Sequence, residues 1–223
     1  MKRKFHVRCE AGENLEITSK SYLSLSDLAD LGTVLPNVYH TKEDMIACVN
    51  AFYDGMVRRS EEMKKHKNYK TGENYAYLGL PPCFLVFDEY VAFFEMLGTK
   101  ESMSLLSQLK KIVMLGRQAG YFLILACQRP DAKYFSDGIR DNFNFRVALG
   151  RMSELGYGMM FSSDVKKKFY QKRIKGRGYC DVGTSVISEF YTPLVPKEHD
   201  FLQTIGTLAN VRKAVPKEQP MED

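Results

Sequence analysis

The feature that most limits how this chain can fold is an apolar run, Cys83-Phe84-Leu85-Val86-Phe87, that follows Pro81-Pro82 and ends abruptly at Asp88-Glu89. Five apolar residues in succession lack the alternation of a half-wetted strand. They match a strand buried on both faces, as in a parallel sheet. A second buried strand is read over Tyr121–Cys127, closed by Gln128-Arg129-Pro130. Between the two, Lys100–Arg117 places Leu105, Leu106, Leu109, Ile112 and Val113 at helical spacing, and Gly120 marks the helix end. Strand, helix, strand at this spacing predicts an α/β fold with a mainly parallel sheet flanked by crossover helices. Phe145–Leu149 reads as a third strand and Leu15–Thr18 as a short fourth.

Upstream, Thr41 with Asp44 forms a capping-box-like helix start. Met45, Val49, Phe52, Met56 and Met63 then recur on one face, which predicts a helix from Thr41 to about His66. Lys64–Tyr77 is polar, contains Gly72, and reads as an exposed loop.

Composition narrows the function classes. With 223 residues, 44% of them hydrophobic, the chain can bury one sizeable core, and no Pro/Gly/Ser-rich stretch separates two. A formal charge of +5 permits a polyanionic partner without demanding one. Five scattered cysteines form no C-x-x-C pair, and four isolated histidines form no H-E-x-x-H. Reduced thiols in a cytosolic setting are expected, and a protein-built zinc site is not. No apolar run approaches the roughly 20 residues that span a bilayer, and Met1-Lys2-Arg3-Lys4 is not followed by a signal-type apolar core. The chain reads as soluble, with a loose, proline-bearing polar tail from Lys213 to Asp223.

An apolar strand that delivers two carboxylates at its carboxyl end has the form of a Walker B motif. Ligands of α/β sheets sit beyond the carboxyl ends of the strands. There Asp88 is the candidate Mg²⁺ ligand, and Glu89 the candidate base that orients the water attacking a γ-phosphate. Gln128, at the end of the neighbouring strand, is a candidate γ-phosphate sensor. A strand that simply ends in a polar turn, and a glutamine that simply precedes a proline turn, are the competing readings. A last cluster, Lys166-Lys167-Lys168, Lys172, Arg173, Lys175 and Arg177, reads either as a DNA-phosphate contact or as a solvated helix face.

Taken together, these segments resemble the FtsK/SpoIIIE family of DNA translocases. The motifs that carry the resemblance are Leu85–Glu89, then Gly116-Arg117-Gln118-Ala119-Gly120, then Cys127-Gln128-Arg129-Pro130. Ile139-Arg140-Asp141-Asn142-Phe143-Asn144-Phe145-Arg146-Val147-Ala148 and Gly176-Arg177-Gly178 follow in family order. The likeness covers about Ile17 to Pro196. Asp88-Glu89-Tyr90 and the long loop before Pro81 lean toward coupling proteins of conjugative elements. The resemblance implies a RecA-like P-loop NTPase core, ATP and Mg²⁺ as cofactors, DNA as substrate, and a homo-oligomeric ring, usually a hexamer. It implies work at the cytoplasmic face of the membrane in conjugative transfer or chromosome partition, beside a relaxase or membrane-anchored segments. Arg117 and Arg146 fall in family-like motifs and are candidates for an arginine acting on a neighbour's nucleotide.

The chain departs from the family pattern at Thr18-Ser19-Lys20, which stands for Asp-Pro-Lys, and at Cys127, which stands for threonine. A phosphate-binding loop needs G-x-x-x-x-G-K-[ST], and no Gly-Lys dipeptide occurs in this sequence. The expected layout is an uncertain segment over 1–16, a partial motor domain over 17–205 lacking its amino-terminal part, and a loose tail over 206–223. Two functions follow: part of an ATP-driven translocase that does not hydrolyse ATP by itself, or a non-catalytic DNA- or protein-binding subunit derived from one. A sheet without its first strand and helix is also expected to expose an apolar edge and face.

Overall fold

The computed structural model describes residues 38–214, apart from 129, 131–132, 136, 163–175, 185, 194 and 197. The expected strand at Leu15–Thr18 lies outside them. The described residues fall into two compact units, one holding 41–193 and the other holding 38–40 and 195–214.

In the larger unit, α1 (Lys42–Lys65) begins where the sequence marks it. The Thr41 hydroxyl accepts a hydrogen bond from the Asp44 backbone N–H at 3.2 Å, satisfying a donor the first turn leaves open. Val49, Met56 and Met63 are buried along one stripe. The helix ends at His66, and the chain then runs exposed through Lys70 to β1 (Cys83–Phe87). A short α2 (Tyr90–Glu95) follows, then α3 (Thr99–Ala119) and β2 (Tyr121–Leu125). β1 and β2 pair in parallel, Cys83 opposite Tyr121 and Phe87 opposite Leu125, with α3 as the crossover.

The pair is covered on one side. Leu85 and Phe87 pack with Val49, Met56, Leu105, Leu109 and Ile112, joining the strands to α1 and α3. An aromatic group of Tyr90, Phe93, Phe94 and Tyr134 extends this core past the strand ends. The opposite face carries Phe84, Val86 and Ile124, each at least half exposed.

α1 and α3 lie side by side and run the same way. Lys42 and Glu101 pair at 2.8 Å near their starts. Near their far ends, the Arg59 guanidinium donates to the Pro81 carbonyl at 2.8 Å and the Ala119 carbonyl at 3.4 Å, lies 3.4 Å from Cys83 Sγ, and covers the Tyr121 ring at 4.8 Å.

Past a short turn, α4 (Asp137–Arg140) leads to β3 (Arg146–Leu149), then α5 (Glu154–Phe161), β4 (Arg177–Asp181) and β5 (Ser188–Tyr191). β3, β4 and β5 form a separate three-stranded antiparallel sheet. The expected third strand therefore exists but does not extend the parallel pair. Its partners come from the Gly176-Arg177-Gly178 region, where no apolar run announces a strand. Ala148, Tyr157, Phe161, Tyr179 and Ile187 make a small second core there. In the other unit, α6 (Phe201–Ala214) is capped by Asp200, whose carboxylate accepts from the Gln203 N–H at 2.9 Å. The helix runs across the boundary expected at 205.

Leu109 is fully buried at the centre of the main core, whereas Met103 on the same helix is 68% exposed. Leu109→Ala should lower the unfolding free energy by about 2–5 kcal/mol. Met103→Ala should stay within about 0.5 kcal/mol. Urea denaturation of the two variants checks the assignment of the core face.

Candidate functional site

The site begins with backbone geometry. The parallel ladder does not stop at Phe87 and Leu125. The Ala126 N–H donates to the Phe87 carbonyl at 2.8 Å, and the Tyr90 N–H donates to the Ala126 carbonyl at 3.0 Å. Two residues, Asp88 and Glu89, must span the gap between those bonds. Glu89 does so in the left-handed region, at φ 49° and ψ 49°. A non-glycine residue there costs about 1 kcal/mol or more, and such positions cluster at functional sites.

Asp88 and Glu89 are each partly buried at the carboxyl end of β1. Burial raises the Asp88 carboxyl above its ordinary value, and the Glu89 backbone N–H opposes that shift. Across the pair, burial and then the Glu89 carboxylate push the Cys127 thiol up to about 11. At neutral pH the Cys127 thiol is therefore protonated. Gln128 follows it, exposed. The strand pairing therefore brings Asp88, Glu89 and Gln128 to one end of one sheet, as their spacing implied.

The arginines are placed elsewhere. Arg117 is exposed in the last turn of α3, beside the starts of the strands and so at the opposite end of the pair from Asp88. The glycines around it have local reasons. A Cβ on Gly116 would collide with the Tyr121 carbonyl oxygen, and Gly120 turns the chain at φ 77° against the Tyr75 ring. These glycines let α3 reverse tightly into β2. Arg146 is half-buried and donates to three backbone carbonyls: Phe143 at 2.8 Å, Arg140 at 2.9 Å and Met160 at 3.2 Å. A role on a neighbouring subunit would require those bonds to be released. Arg177 is exposed at the start of β4, 4.8 Å over the Tyr191 ring. Lys166, Lys167, Lys168, Lys172, Arg173 and Lys175 lie outside the described residues.

What sequence reasoning missed is α2 and its tie to the site. Tyr90, fully buried, donates its hydroxyl to the Tyr134 carbonyl at 3.1 Å, and burial raises its hydroxyl well above the ordinary value. This anchors the segment just after Glu89. The only hint in the sequence is Tyr90-Val91-Ala92-Phe93-Phe94, too short to separate from a continuing strand by periodicity.

The residues present fit part of an ATP–Mg²⁺ site. Mg²⁺ is typically held by one or two carboxylates, with water and phosphate oxygens completing its shell. A partly buried Asp88 suits that, and no cluster of three or more metal-binding side chains occurs among the described residues. Such an ion would neutralise charge developing on phosphate oxygens. The triphosphate itself finds no Gly-Lys loop in this sequence.

No family model matches the chain. A curated relative, the FtsK domain-containing protein YdcQ of Bacillus subtilis (strain 168), is 59% identical over 181 residues, or 81% of this chain. Over that stretch the chain is a homologue of an FtsK domain-containing protein. It spans 38% of that relative's length. Solved structures agree on the fold. The pCW3 conjugation coupling protein TcpA, with ATPγS, superposes over 83% of this chain and 55% of its own, with TM-score 0.60 and 17% identity. The type VII secretion ATPase EccC of Thermomonospora curvata gives 0.54 and 19%, covering 77% of this chain and 21% of its own. EssC of Geobacillus thermodenitrificans gives 0.52 and 15%, covering 82% and 34%. The chain therefore has the RecA-like α/β fold expected of it, with a parallel strand pair in its larger unit. Among its described residues, no helix is long and apolar enough to cross a membrane.

Two substitutions test the geometry. Because burial raises the folded-state Asp88 value, ionising Asp88 costs the folded chain more than the unfolded one. Stability contributed at this position falls as pH rises from the ordinary aspartate value through the raised one. Asp88→Asn should therefore raise the melting temperature at pH 7 and lose that advantage at pH 3. Glu89→Gly should add about 1 kcal/mol by relieving the left-handed backbone. Thermal and urea melts at both pH values check the pair.

Proposed function

We propose that this chain is the Walker B part of an ATP-driven DNA translocase motor. On this reading Asp88 holds Mg²⁺, Glu89 positions and polarises the attacking water, and Gln128 senses the γ-phosphate. The observation that carries it is the meeting of Asp88, Glu89 and Gln128 at the carboxyl end of one parallel pair, in a chain homologous to an FtsK domain-containing protein. The protein partner set on this reading is DNA and further copies of the motor in a ring, working at the cytoplasmic face of a membrane. The likeness to a conjugation coupling protein favours conjugative transfer over chromosome partition. Arg117 fits the role of the arginine offered to a neighbour better than Arg146, because Arg117 is exposed while Arg146 is bound to three carbonyls. The residue layout proposed for the motor part remains 17–205.

With no Gly-Lys loop of its own, this polypeptide by itself does not turn over ATP. The test is phosphate release with MgATP and DNA. The 223-residue chain alone should give no rate above buffer. Replacing the matched 181 residues of the Bacillus relative with this chain should give a Mg²⁺-dependent rate, and Glu89→Gln in that chimera should reduce it by at least about 10²-fold. Turnover by the isolated chain, or a chimera indifferent to Glu89→Gln, would overturn the proposal.

A further inference from the structure

We propose that the carboxyl end of α1 and the turn after it, Lys64 to Lys70, form a second DNA-phosphate contact, on the opposite end of the strand pair from Asp88 and distinct in sequence from the lysine cluster after residue 165. This rests on reading the chain as part of a DNA motor.

Lys64-Lys65-His66-Lys67-Asn68-Tyr69-Lys70 holds four lysines in seven residues and no acid. All four are exposed, and none makes an ion pair among the described residues, although Glu62 nearby pairs with Arg58 at 3.9 Å. Lys64 and Lys65 sit in the last turn, where the helix dipole alone gives cations a reason to be. Lys67 and Lys70 lie beyond the cap, where that reason has decayed, so the dipole does not account for the cluster.

The backbone that carries these charges is held. The His66 N–H donates to Met63 at 3.1 Å, the Tyr69 N–H to His66 at 2.9 Å, and the Asn68 N–H to the His66 ring at 3.2 Å. Farther on, the Tyr75 N–H donates to the Gln118 carbonyl at 3.0 Å, and the Gln118 side chain donates to the Glu73 carbonyl. Cations on a held backbone lose less freedom on meeting a partner than cations on a loose tail.

The position follows from α1. Its start pairs with the start of α3, and Arg59 on its later turns reaches the beginnings of the strands, so Lys64–Lys70 lies past those beginnings. A polyanion bound there neither competes with nor repels a nucleotide at the carboxyl ends. Six peptide steps keep the four lysine Cα atoms within about 22 Å. Duplex DNA presents one charge every ~1.7 Å of axis, enough phosphates for all four. A membrane surface fits less well, because the segment contains no Leu, Ile, Phe, Trp or Met to enter the lipid.

The experiment is fluorescence anisotropy of a labelled 30-bp duplex with the 223-residue chain over a salt series. Lys64, Lys65, Lys67 and Lys70 are changed together to Gln. A second variant changes only Lys67→Gln and Lys70→Gln, outside the helix. The quadruple variant should bind at least about tenfold more weakly at 50 mM salt, and its log–log salt slope should be shallower by about 3–4; the double variant should lose about half that slope. Equal slopes in wild type and both variants would overturn this proposal while leaving the DNA-motor reading intact. Lysine-dependent binding to phosphatidylserine vesicles without duplex binding would assign the surface to a membrane and overturn it too. No duplex binding by the wild type at 50 mM salt would sink both the contact and the reading it rests on.

Discussion

The site depends on two backbone hydrogen bonds at the strand ends, Ala126 N–H to the Phe87 carbonyl and Tyr90 N–H to the Ala126 carbonyl. They carry the parallel ladder one step beyond the last paired residues and fix where the chain must reverse. Only Asp88 and Glu89 are available to make that reversal, so Glu89 is held in a conformation that its own preference disfavours. The aromatic packing of Tyr90, Phe93 and Phe94 keeps the chain from relaxing out of it. The backbone that carries the Glu89 carboxylate is thereby fixed by main-chain closure.

How far the sequence revealed this differs from element to element. α1, β1, α3 and β2 were legible because each has a strong local signal: a capped apolar stripe, or an apolar run bounded by prolines, glycine or carboxylates. Thr41 and Gly120 even mark their boundaries. β4 and β5 were not legible, because they are short and mix charged with aromatic residues, and the pairing of β4 with β3 and of β5 with β4 is a tertiary fact. Phe145–Leu149 looked like a member of the parallel sheet because a strand's own residues do not say which strand it will meet.

The site was legible to the same degree and for the same reason. Asp88, Glu89 and Gln128 close strong runs, so the topology of those runs brings them together. Arg117 and Arg146 were marked by motif alone. Their motifs turn out to contain plain structural causes: Gly116 and Gly120 make room for a tight reversal, and Arg146 ties three carbonyls. A motif can recur because a fold needs it. That leaves the chemistry of its charged member to be decided by geometry, which here separates an exposed Arg117 from an occupied Arg146.

Arg59 has one further consequence. It fastens α1 to the strand beginnings through carbonyl oxygens, a thiol and the face of Tyr121, and no carboxylate among the described residues takes part. Dissolved ions screen pairs of exposed charges strongly and partly buried cation–dipole contacts far less. Ionic strength therefore acts unevenly on this molecule. It would weaken the proposed hold of the outward-facing lysines on an anionic polymer while the brace beneath them stays fastened, so that hold and the integrity of the fold answer to different physical variables.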